Sequence, residues 1–173
     1  MARYRSANIV SQTAQLAGAP VTTTVNGYVG YLGASATAGF KLRRLGVGVR
    51  TTAGSPTSQQ VTLAVYRQTV TPSGTGLAAA IVGVPLETWT LQTDPTAGFV
   101  ATTATTIGTT GPTLGSVAVA SITFNTQTYV DHPVEFIEEL ICPLGATNGF
   151  GFVLLGLTLP AAHLAVLDVE YEV

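Results

Sequence analysis

The clearest patterns lie at the end of the chain. From Phe150 to Leu159 nearly every residue is apolar, as expected of a strand covered on both faces. From Leu164 to Val173 the pattern alternates instead. Leu167, Val169, Tyr171 and Val173 share one side, and Asp168, Glu170 and Glu172 share the other. A period of two with one polar side predicts a half-buried strand. Leu159-Pro160-Ala161-Ala162 separates the two stretches and predicts a turn, so the pair reads as a terminal hairpin.

Earlier segments repeat the short-strand pattern. Tyr28 to Leu32 fits a strand after the Asn26-Gly27 turn signal. Phe40 to Arg50 fits another, but its phase slips. Phe40 and Leu42 lie on one side, and Leu45, Val47 and Val49 follow in the opposite phase. The slip predicts a β-bulge at Arg43-Arg44. Gly46 and Gly48 leave one side of this strand bare for close packing. In Val61 to Arg67, Val61, Leu63 and Val65 point inward. Further strands are expected at Leu77–Leu86, Thr88–Leu91, Val117–Phe124 and Glu139–Cys142, with a turn at Asp131-His132-Pro133. Thr93–Ser116 is a Thr/Gly/Ala tract that reads as a long loop or an edge strand.

Eight to ten short strands without a convincing helix predict an all-β fold. The expected architecture is a jelly-roll-like antiparallel β-sandwich or barrel. The expected organisation is an N-terminal arm with a short strand (residues 1–18), then one domain (residues 19–173). The arm begins Arg3, Tyr4, Arg5.

Composition changes this picture in one respect. Only 9% of the residues are charged, against about 25% in a typical soluble domain. Such a chain is short of charged surface, and coverage by other subunits is the simplest account. The alternative is a membrane helix, but glycine and proline interrupt the apolar run after Leu140, so no membrane span is expected. The start, Met1-Ala-Arg-Tyr-Arg-Ser, precedes no long apolar core, so no signal peptide is expected. The charges are also segregated. Every Lys and Arg lies at or before Arg67, and every Asp and Glu at or after Glu87. Either the two groups pair within the chain across a sheet, or they form complementary patches between subunits or against a partner.

Candidate chemistry is sparse. Cys142 is the only cysteine and reads as a buried hydrophobe. His132 with Glu135, Glu138 and Glu139 is the densest polar group, and reads as a solvated edge or subunit contact rather than a metal site. No serine sits in a G-x-S-x-G elbow. Gly108–Gly115 lacks the lysine of a phosphate loop. No enzyme activity and no cofactor are expected. Nucleic-acid binding is not expected either, at a net charge of −2.

Four stretches carry a resemblance: Val61-Thr-Leu-Ala-Val-Tyr-Arg67, Glu139-Leu-Ile-Cys-Pro-Leu-Gly145, Asn148-Gly-Phe-Gly-Phe152 and Val169-Glu-Tyr-Glu-Val173. With the Thr/Gly/Ala bias, the chain resembles small all-β virion proteins of tailed bacteriophages, including jelly-roll head decoration (cement) proteins. The resemblance implies a homo-oligomer, a trimer, made in the host cytoplasm and seated on the capsid surface of the virion. There it would bind the major capsid protein and stabilise the shell. Charge segregation makes Arg3, Tyr4, Arg5, Arg43 and Arg44 the candidate capsid contacts. Trp89, Phe150, Phe152 and Leu154 are the candidate subunit-interface residues. The alternative is a receptor- or carbohydrate-binding jelly-roll domain of a tail fibre or spike. That reading requires an exposed aromatic cluster drawn from Tyr28, Tyr31, Tyr66, Trp89 and Tyr129.

Overall fold

The computed structural model describes residues 3–8, 28–51, 54–70, 84–85, 98–101, 113–133, 140–156 and 163–173. Every regular element among them is a strand: β1 (Arg3–Asn8), β2 (Tyr28–Gly33), β3 (Phe40–Thr51), β4 (Gln60–Val70), β5 (Val84–Pro85), β6 (Gly98–Ala101), β7 (Thr113–Asn125), β8 (Val130–Pro133), β9 (Leu140–Cys142), β10 (Gly149–Gly156) and β11 (His163–Glu172). Four antiparallel pairs nest inside one another: β1 with β11, β2 with β10, β3 with β8, and β4 with β7. Two further pairings, β3 with β11 and β4 with β10, roll this ribbon into two sheets. The first sheet runs β5-β1-β11-β3-β8 with β9 also on β3, and the second runs β6-β2-β10-β4-β7. The nested order is that of a jelly roll, as the strand count and turn pattern predict. Strands β5 and β6 both come from the β4–β7 connection, and they extend the β1 and β2 edges of the two sheets.

The core lies between the sheets. Leu42, Leu45, Leu167, Val169 and Tyr171 of the first sheet face Leu32, Leu63, Val65, Phe150, Phe152 and Leu154 of the second. The alternation in β4 and β11 thus falls with its apolar side inward, as the sequence predicts. The continuous apolar run of β10 also has a structural cause. This strand is central in its sheet, and its other side (Val153) belongs to a second buried cluster with Tyr28, Tyr31, Ala64 and Tyr66.

The phase slip in β3 is a bulge at the expected place. The register with β11 shifts between Glu170 and Tyr171, where Arg44 pairs with Glu170 and Leu42 with Tyr171. Arg43 is the extra residue, so Leu42 and Leu45 can both enter the core.

Three expectations are corrected. First, β10 and β11 do not form a hairpin: β10 lies between β2 and β4, and β11 between β1 and β3. An apolar strand and an amphipathic strand separated by a short linker can equally cross between sheets, and here they do. Second, Arg3-Tyr4-Arg5 is not a loose arm. It opens β1, held by β11 on one side and β5 on the other. Third, Asp131-His132-Pro133 belongs to β8, and the turn comes earlier, where Thr128 N–H donates to Asn125 O at 2.8 Å. The expected strands at 77–83 and 88–91 lie outside the described residues.

Candidate contact face on the first sheet

The outward side of the first sheet gathers most of the chain's described charge. Residues Asp168, Glu170 and Glu172 project from β11 with Arg5 of β1 on one flank and Arg43 and Arg44 of β3 on the other. Antiparallel pairing therefore resolves the segregation seen in sequence: the basic strands come early, the acidic strand comes last, and the fold sets them side by side. Arg5 Nε donates to both Asp168 oxygens at 3.0 Å. Arg43 Nε donates to Glu172 Oε2 at 2.7 Å. Arg44 bridges two strands, with Nη2 donating to Asp131 Oδ2 at 2.8 Å and Nη1 to Glu170 Oε1.

These pairs differ in burial, and burial sets their weight. Asp168 is only 5% exposed, although its own strand pattern predicts a solvated position. The Asp131 side chain is about half exposed. The Arg44 guanidinium still holds the Asp131 carboxyl below its ordinary value, chiefly by direct hydrogen bonding.

Tyr129 lies over the bare side of β3. A Cβ on Gly46 would strike its hydroxyl, and a Cβ on Gly48 would come within 2.9 Å of its ring. Glycine at these positions makes the seat for the ring, the close packing that the sequence predicts. The ring remains 52% exposed. Partial burial, and then the neighbouring Asp168 carboxylate, push its hydroxyl above the ordinary value.

Of the expected capsid contacts, Arg3 and Arg5 are exposed, and Arg43 and Arg44 are half-buried in ion pairs. Tyr4 is not a surface residue. It is fully buried and its ring stacks on Tyr171 at 5.8 Å between centroids. Of the expected interface residues, Phe150, Phe152 and Leu154 are core residues of the single chain, almost completely buried there. They are excluded as subunit contacts, because the two sheets already cover them. Trp89 lies outside the described residues.

Tyr28, Tyr31 and Tyr66 do come together in space, on the outward side of the second sheet, although they are far apart in sequence. All three are buried, so they form no open aromatic platform. The Tyr28 hydroxyl donates to Gln68 Oε1, and burial raises it well above its ordinary value. His132 stands exposed on β8, and its glutamate neighbours at 135, 138 and 139 lie outside the described residues. Among the described residues, no group of three His, Cys, Asp or Glu side chains is placed to hold a metal. No helix there is long and apolar enough to cross a membrane.

Sequence reading missed the apolar surface. Val117, Ile141 and Leu144 are exposed by 74%, 44% and 61%. Ile141 and Leu144 flank the turn between β9 and β10, where Arg67 donates to Ile141 O at 3.2 Å. Their motif read as a strand and its return loop, with nothing to mark which side chains stay uncovered.

The nested pairing and the packed inner faces define the class: an antiparallel jelly-roll sandwich. Comparison with protein-family models, curated proteins and solved structures gives no match.

Proposed function

We propose that the chain is a structural virion protein that seats on the outside of an assembled phage head and stabilises it through protein–protein contacts. The observation that carries this reading is the exposed pair Ile141 and Leu144 on a chain with few charges. Those charges are largely engaged in cross-strand pairs with one another, on the first sheet to which β9 and Ile141 also belong. Large apolar side chains at a turn, next to the exposed Arg67, make a protein-contact feature. The contact set is therefore revised from the N-terminal arginines to Ile141, Leu144 and Arg67. The sequence resemblance supports the same partner, the major capsid protein.

The test is co-sedimentation with empty heads assembled without this protein. Wild type is expected to bind, and Ile141→Asp with Leu144→Asp to lose binding by tenfold or more while keeping its circular dichroism. Unchanged binding by the double variant would overturn the assignment of this contact. Absence of binding by wild type would overturn the capsid reading.

The second reading, carbohydrate or receptor binding, is favoured by Tyr129. Its half-exposed ring lies beside Asp168 and close to the Arg44–Asp131 pair. Rings paired with fixed polar groups suit sugar recognition. Glycan-array binding that disappears in Tyr129→Ala would favour this reading over the capsid one.

A further inference from the structure

We infer that β7 pairs edge to edge with the β7 of a second copy of this chain, antiparallel, across a two-fold axis near Ile122. The sandwich treats its sheet edges unequally. An open strand edge is a template for another chain, and proteins guard it by shortness, charge, proline or cover. Here the β1 and β2 flank carries the added strands β5 and β6, and the edge strands β5, β6 and β8 are two to four residues long. Strand β7 is different. It has 13 residues, Thr113–Asn125, with no charge and no proline. It pairs with β4 on one side, and no described strand pairs with the other.

The phase of the ladder shows which groups are on offer. Thr126 N–H donates to Gln59 O at 2.9 Å. With Val61 opposite Phe124 and Leu63 opposite Ile122, the alternation of an antiparallel ladder turns Phe124, Ile122 and Ala120 toward β4. Ser121 and Thr123 therefore aim their N–H and C=O groups outward, along the free edge. Their side chains are exposed, while Ile122 and Phe124 are buried at the rim of the core. Toward Thr113 the register with β4 shifts three times, so the continuous template is the second half of the strand.

Charge and symmetry favour a second copy as the occupant. A neutral strand meets its own copy with no like-charge repulsion. In the two-fold pairing Ser121 faces Thr123 of the partner subunit, a hydroxyl pair suited to adjoining strands. The two Ile122 side chains then meet on the core side and extend the sandwich. The contact yields an even-numbered assembly, because a three-fold axis cannot bring one strand against itself. It is independent of the capsid reading.

The experiment is native mass by light scattering from micromolar to millimolar concentration, with hydrogen exchange at the same concentrations. The expected result is a concentration-dependent doubling of the 17.7 kDa mass. The Ser121 and Thr123 amides should slow by about tenfold or more as the dimer forms. Thr123→Pro removes an outward donor without touching the β4 ladder, and is expected to remain folded and monomeric. The double variants Ser121→Lys/Thr123→Lys and Ser121→Glu/Thr123→Glu are each expected to be monomers, and an equal mixture to recover the doubled mass. Three results would overturn the inference: a monomer throughout, a dimer indifferent to these substitutions, or Ser121 and Thr123 amides already protected in the monomer.

Discussion

Asp168 shows how one residue's environment decides what a charge is worth. It is buried beneath the first sheet's outward side, and Arg5 bonds both of its oxygens. Removing Arg5 strands a buried carboxylate, which costs about 1–3 kcal/mol or more. The Asp131–Arg44 pair is more open, and exposed pairs give about 0–1 kcal/mol. Urea unfolding should therefore show Arg5→Ala as clearly more destabilising than Asp131→Asn, and equal effects would refute the ranking. The pH dependence has a definite sign at both ends. The Asp131 value is lowered in the folded chain, so its share of stability is present above the ordinary carboxylate value and is lost as pH falls from there through the lowered one. At the alkaline end, burial pushes the Cys142 thiol up to about 11, and burial also raises Tyr28 and Tyr31. In the window above about pH 9 the unfolded chain releases these protons first. Stability should fall there, and the thiol should resist labelling until the chain opens. Rapid Cys142 labelling in the native protein at pH 8 would contradict its burial.

The strand β11 is the element that joins early and late sequence. It sits between β1 and β3 and contributes Leu167, Val169 and Tyr171 to the core. Each such side chain stabilises by roughly 1.5–3 kcal/mol when buried, against about 5–15 kcal/mol for a whole domain. Deletion of residues 164–173 should therefore abolish soluble folding, and a truncated chain with normal β-sheet circular dichroism would refute this. Much of the element list was legible in sequence, because the period-two pattern in β4 and β11 and the slip at Arg43-Arg44 are local. The pairings were not. Nothing local distinguishes a β10–β11 hairpin from a crossover, since each strand's partners lie a hundred residues or more away in places. The short strand expected near the start begins earlier than its pattern shows, at Arg3, for the same reason. Arg3-Tyr4-Arg5 already alternates, but three residues are too short a pattern without the strand that receives them. The contact features were the least legible, because exposure of Ile141, Leu144 and Val117 depends on what the fold leaves uncovered.

At the scale of the whole molecule, nested pairing couples the two chain ends. Arg3 lies opposite Glu172 and Tyr4 opposite Tyr171. The first sheet cannot close its β1–β11 pair until almost the entire sequence is present. Sandwiches built on such distant pairings fold in roughly milliseconds to seconds. The same geometry suggests how to change the rate. Joining Val173 to Met1 with a short Gly/Ser linker, and opening the chain between the exposed Gly54 and Ser55, makes β11 and β1 neighbours in sequence. The closure entropy for that pair then falls by about 2–3 kcal/mol. If the pair forms before the rate-limiting step, refolding should quicken by about tenfold or more, with the same circular dichroism. An unchanged refolding rate with slower unfolding would place β1–β11 closure after the barrier. Folding of the wild-type chain in microseconds would contradict the distant pairing itself.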